Sequence, residues 1–72
     1  MTQTTTVVLS KSPVELFKIL KFEGIASSGA EAKLIIEQGH VSVNGETETR
    51  KRRKIVGGDT IQLGDIVLTI TE

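Results

Sequence analysis

The sequence predicts an α+β fold: two packed helices followed by a small antiparallel sheet of three to four short strands. Three observations predict it. Helix-start signals at Ser12 and Ser28 each precede a run with apolar residues on one face. After Gly39 the hydrophobic period switches from about 3.6 residues to about 2. Two turn signals, Asn44-Gly45 and Gly64-Asp65, then divide the remainder into short strands.

The elements follow in order. Thr4 to Leu9 (TTTVVL) is β-branched and suits a short edge strand, while residues 1–6 are expected to form a loose N-terminus. In SPVELFKILKFEG, Ser12 reads as an N-cap, Pro13 as the first helical residue and Glu15 as the partner in a capping box. Leu16, Phe17, Ile19 and Leu20 gather on one side of that helix, which ends near Gly24; Lys18 and Lys21 share the wet side. Ser28-Gly29-Ala30-Glu31 repeats the capping-box spacing. Ala32, Ile35 and Ile36 supply the buried stripe of this second helix, and Gly39 stops it. Val41 and Val43 alternate with polar residues up to the Asn44-Gly45 hairpin. Thr60–Leu63 and Ile66–Thr71 read as two more strands.

The chain has 72 residues, so residues 1–72 are expected to form a single domain. With no cysteine and one histidine, disulfides and thiolate zinc sites are excluded, and an ordinary apolar core must hold the domain. No run reaches the roughly 18 apolar residues of a membrane span, and the start carries no basic leader. A cytoplasmic monomer with no membrane partner is expected.

Formal net charge is zero, yet it is unevenly placed. Arg50, Lys51, Arg52, Arg53 and Lys54 form an unbroken run holding five of the nine Lys and Arg residues. Such a run can be a solvated edge that blocks aggregation. Three features favour a binding role. The run contains no acid, whereas mixed signs serve solubility better. Strand alternation would turn Lys51 and Arg53 inward if Arg50, Arg52 and Lys54 faced out, so the segment must be wet on both sides, as a loop or protruding edge. Clustered charges also repel, by roughly 0.6 kcal/mol per pair about 7 Å apart in water, a cost that an anionic partner reverses. A nucleic-acid backbone is the partner that suits this charge best, and arginine grips phosphate with two N–H groups at once. Lys18, Lys21 and Lys33 extend the patch if the helices present them on the same side. Guanidinium groups tied up by neighbouring carboxylates would count against this reading. The only aromatics are Phe17 and Phe22, and Phe17, on the apolar stripe, reads as core rather than as a stacking platform, which argues against a stacking-based reader of single strands. Structured RNA, read through phosphates and sugar hydroxyls, fits better.

The run GIASSGAEAKLIIEQGHVSVNGETE, followed by KIVGGDTIQL, resembles the S-four-type RNA-binding domain. That family shows a helix, a Ser-initiated second helix carrying Glu-Ala-basic, then Gly-x-Val-x-Val-Asn-Gly, then Gly-Asp before a final strand. Residues from about 14 to 70 can be laid on it. Within the family the chain is similar to the short stand-alone bacterial members, the YbcJ-like proteins, through Ser-Gly-Ala-x-Ala-Lys at 28–33 and Glu-Thr-Arg-Lys-Arg at 48–52. The resemblance implies the alpha-L RNA-binding motif, and RNA contacts from Ser28, Lys33 and the run Arg50 to Lys54. Larger members carry Arg directly after the serine; here that position is Gly29, which shifts weight to the 50–54 run. Family habit makes ribosomal RNA or transfer RNA the expected partner.

No catalytic constellation is present. His40 has no second ligand nearby, Ser27 and Ser28 lack a His-Asp set, and Asp59 and Asp65 sit in turn contexts. No catalytic residue, metal, cofactor or small-molecule substrate is expected. Two rival readings exist. A ubiquitin-like sulfur carrier shares the Val-x-Val-Asn-Gly turn, but its chemistry needs a C-terminal Gly-Gly and this chain ends Ile70-Thr71-Glu72. A protein-interaction module would dock an acidic partner on the same basic run.

Overall fold

Ser12 and Pro13 do not open the first helix. The computed structural model describes residues 3–72, and in it α1 runs Leu16–Phe22, later than its capping box suggests. The preceding pair, Val14–Glu15, is a short strand, β2, held antiparallel against a later strand, β5 (Lys54–Ile55). Glu15 occupies the N-cap position with extended backbone and makes no side-chain cap. The first helical N–H groups are satisfied from elsewhere: Leu16 N–H donates to the Arg53 carbonyl at 2.9 Å and Phe17 N–H to that of Lys51 at 3.2 Å. Long-range main-chain pairing has outcompeted a local cap worth about 1 kcal/mol.

The second helix, α2 (Gly29–Glu37), starts where its sequence says. The Ser28 hydroxyl accepts the Glu31 N–H at 3.1 Å. The Glu31 carboxylate reaches one residue earlier than the capping-box pattern, to the Ser27 hydroxyl and, at 3.4 Å, the Ser27 N–H. The helix stops as Gly39 takes a left-handed φ of 79° and donates to the Ile36 carbonyl.

The remaining strands are β1 (Gln3–Val8), β3 (Ser42–Val43), β4 (Glu46–Thr47), β6 (Thr60–Leu63) and β7 (Ile66–Thr71). They form a five-stranded sheet in the order β1-β7-β6-β3-β4. The α+β architecture with a helix pair is as expected. The sheet is larger than expected and mixed, because β1 joins the last strand in parallel, from Gln3 against Ile66 to Val8 against Thr71. Of the residues 1–6 expected to be loose, Gln3 to Thr6 are therefore paired, and Met1 and Thr2 lie outside the described residues. The β3–β4 hairpin turns on Asn44 and Gly45, whose φ values of 54° and 86° are both positive, as a type I′ turn requires.

One core lies between the helices and the sheet. Leu16, Ile19 and Leu20 of α1 and Ala32 and Ile36 of α2 are buried against Val41, Val43, Ile55, Ile61, Leu68 and Ile70. Each of the Leu, Ile and Val side chains contributes about 1.5–3 kcal/mol, so the helix pair is a firm frame for whatever borders it. Ile35 and Phe17 are half-buried at the margin of this core. No helix among the described residues is long and apolar enough to cross a membrane.

Candidate nucleic-acid interface

The basic run leaves the sheet after β4, turns at Lys51 and Arg52, and returns as β5. The turn closes with Arg53 N–H donating to the Arg50 carbonyl at 3.2 Å. Arg50, Arg52 and Lys54 are exposed, Lys51 and Arg53 half-buried. Exposure thus alternates along the run: one face is open, while Lys51 and Arg53 are partly covered, short of the solvation on both sides that was expected. The loop is also pinned: its carbonyls cap α1, and β5 pairs with β2.

The run does not stand free of acids. Glu48 is the buried charged residue of the described chain, at 5% exposure. Its carboxylate accepts Arg50 Nε and Nη2, each at 3.0 Å, the Arg50 main-chain N–H at 3.0 Å, and Arg53 Nη1 at 2.8 Å. The Arg50 hydrogen bond, together with that of Arg53, lowers the Glu48 pKa to about 2 against the cost of burial. The same Glu48 contact raises the pKa of Arg50. Lys51 Nζ lies 3.5 Å from Glu37, and Arg52 Nη1 3.6 Å from Glu15, which also holds Lys18 Nζ at 3.2 Å. The Lys18 hydrogen bond pulls the Glu15 carboxyl below its ordinary range. Lys54 has no ion pair among the described residues.

Four of the five cations therefore have carboxylate partners: Glu48, close by in the chain, holds Arg50 and Arg53, while Glu37 and Glu15 come from distant segments that a local reading of the run does not reveal. The pairing is unequal. The Glu37 and Glu15 bridges are long, and their cations are at least 40% exposed, so each is worth about 0–1 kcal/mol. Glu48 takes two of the five guanidinium N–H groups of Arg50 and one of those of Arg53, leaving the others to solvent or a ligand.

Two lysines of the helices join the loop. Lys33 Nζ of α2 lies 4.7 Å from the centre of the Phe17 ring, and the Arg52 guanidinium carbon 5.9 Å from it. Phe17 is thus a bridge between helix pair and loop, half core and half platform for cations, where its stripe position had suggested core alone. Lys18 joins through Glu15. Lys21 is exposed and meets none of these groups in a described contact. Ser28 caps α2, and the neighbouring Gly29 lies against Phe17, where an added Cβ would sit 3.8 Å from the ring. In all, seven cations and three carboxylates are linked by contact or strand pairing, a formal excess of four positive charges.

The far side of the loop is fixed by the hairpin. Asn44 accepts the Thr60 N–H at 2.9 Å and donates to Asp59 at 3.0 Å, while Asp59 accepts the Val56 N–H at 3.0 Å. Burial pushes the Asp59 carboxyl up, but the Val56 and Asn44 hydrogen bonds hold it below its usual range. Asp59 is the turn residue its sequence context implies.

A family model described as the S4 domain matches residues 7–71. The chain belongs to the S4 domain family. A relative from Escherichia coli K12, named "Putative RNA-binding protein YbcJ", is 54% identical over 57 residues, 78% of this chain and 81% of the relative. A YbcJ protein of Shigella flexneri matches to the same extent. The solution structure of E. coli YbcJ, described as revealing an alfaL motif involved in RNA-binding, superposes with a TM-score of 0.74 at 44% identity, covering 100% of this chain and 92% of that one. Against this S4 frame, Glu48 is the residue of the candidate site that sequence reasoning passed over. It stands in the quoted Glu-Thr-Arg-Lys-Arg stretch. Its spacing of two and five residues from Arg50 and Arg53 was the available signal.

Proposed function

We propose that this S4 chain is a non-catalytic RNA-binding domain that holds structured RNA by its phosphates. The observation that carries the reading is a loop fixed by main-chain bonds to a rigid helix pair and displaying a net excess of cations. Arg50 and Arg53, aimed by Glu48, present their remaining N–H forks. Lys51, Arg52 and Lys54 supply charge on flexible or weakly paired side chains, with Lys33 and Lys18 beside them. Ser28, at the start of α2, borders the patch, and Lys21 extends it only for a ligand that follows α1. The name of the Escherichia coli relative and the description of its solution structure support the same reading. Ribosomal and transfer RNA are the structured classes we favour, in the cytoplasm, with the domain acting as a monomer.

Neutralising four phosphates gives a slope of log K against log salt of roughly −3, on the order of a 50-fold loss between 50 and 200 mM salt. The variant that tests this is Lys51→Ala/Arg52→Ala/Lys54→Ala, which spares the arginines tied to buried Glu48. It is expected to flatten the slope by roughly 2 and leave the fold intact. A wild-type slope near zero rejects the reading. Pull-down with and without ribonuclease separates it from docking of an acidic protein.

A further inference from the structure

Two of the large apolar side chains most open to solvent, Val8 and Phe22, are each 70% exposed. They come from opposite ends of the fold's first third, yet both line one cleft of about 460 Å³ between the end of β1 and α1. Leu9, Val14 and Ile19 also line it. Lys11, Lys18 and Lys54 stand around it, against Glu15 and Glu23. Exposed aromatic and aliphatic surface has no use in a core, and a cationic surround on an apolar slot suits a ligand with a flat apolar body and anionic flanks. The cleft is continuous with the basic loop: Lys54 belongs to both, and Glu15 lines the cleft while bridging to Arg52.

We infer that this cleft receives one unpaired nucleobase of the bound RNA, stacked on Phe22, with its flanking phosphates on Lys18 and Lys54. The inference rests on the RNA-binding reading and sharpens it: the preferred substrate is a helix carrying a bulged or extruded nucleotide, not an uninterrupted duplex or a long single strand. One exposed ring suits one base, and the scarcity of aromatics, which argues against a stacking-based reader of single strands, leaves room for a helix with one extruded base. An unstacked base exposes its faces to water; the ring and aliphatic walls cover one or both.

The test uses two RNA hairpins with the same stem, one fully paired and one with a single bulged 2-aminopurine. The wild-type chain is expected to bind the bulged hairpin at least about fivefold more tightly and to change the 2-aminopurine emission. Phe22→Leu is expected to abolish both effects while binding the paired hairpin as before; Phe22→Tyr is expected to keep them. Phe22 is exposed, so unchanged thermal unfolding of both variants serves as the folding control. Equal binding of the two hairpins, or a bulge preference that Phe22→Leu does not alter, overturns the base cleft and leaves phosphate binding standing. Failure to bind either hairpin at low salt overturns both. Binding of an acidic, apolar peptide that Phe22→Leu weakens, without any bulge preference, assigns the cleft to protein instead.

Discussion

The two helices begin in opposite ways. The start of α2 is local: Ser28 accepts from Glu31 three residues on, and Glu31 reaches back to Ser27. The start of α1 is remote: its first two N–H groups are met by the carbonyls of Lys51 and Arg53, more than thirty residues away. A cap within four residues can be written in side chains. A cap drawn from another segment is written in topology, and it couples α1 to the basic loop. The loop we propose for RNA contact is therefore also the ledge on which a core helix starts.

The largest effect on this contrast is expected from Glu48→Ala. It removes the carboxylate that holds Arg50 and Arg53 and accepts the Arg50 N–H. A loss of about 2–3 kcal/mol in chemical denaturation is expected, below the full cost of breaking a buried pair because Arg50 is largely exposed. Amide exchange should rise at Leu16 and Phe17 and stay unchanged at Glu31. The same carboxylate sets acid sensitivity. Its folded pKa is about 2 against 4.5 for the free group, so its contribution is present above about pH 4.5 and drains away as pH falls toward 2. Glu48→Gln should flatten that part of the stability–pH curve; an unchanged acid limb would mean that the contact is weak in solution.

A smaller effect is expected from Ser28→Ala, about 1 kcal/mol, with faster exchange confined to the first turn of α2. The smallest, within about 0.5 kcal/mol, is expected from Ser12→Ala, because Ser12 caps nothing. A loss of about 1 kcal/mol there would restore the local cap to α1 and erase the contrast.

What the sequence made legible follows the same division. The second helix, the Asn44-Gly45 hairpin and the strand pair around Gly64-Asp65 depend on neighbours within a few residues, and each stands where its residues place it. The exposure of Arg50, Arg52 and Lys54 was legible too, whereas the partial burial of Lys51 and Arg53 was not. The parallel seat of β1 beside β7 was not, because the two strands lie at opposite ends of the chain and nothing in either encodes its neighbour. Nor were the carboxylate partners of the run. Glu15 and Glu37 approach it only through folding, and Glu48 looks in sequence like one more surface acid until its burial is seen. The start of α1 misled for a physical reason: Ser12, Pro13 and Glu15 offer a respectable cap, and the sheet contact of Val14 and Glu15 is stronger.

The carbonyls that fasten the basic loop to α1 belong to the peptide backbone, which every residue type possesses. At positions 51, 52 and 54 the anchoring is therefore indifferent to what the side chain is. Evolution, or an engineer, can rewrite those three letters, and with them the charge the loop displays, without renegotiating the architecture that presents them.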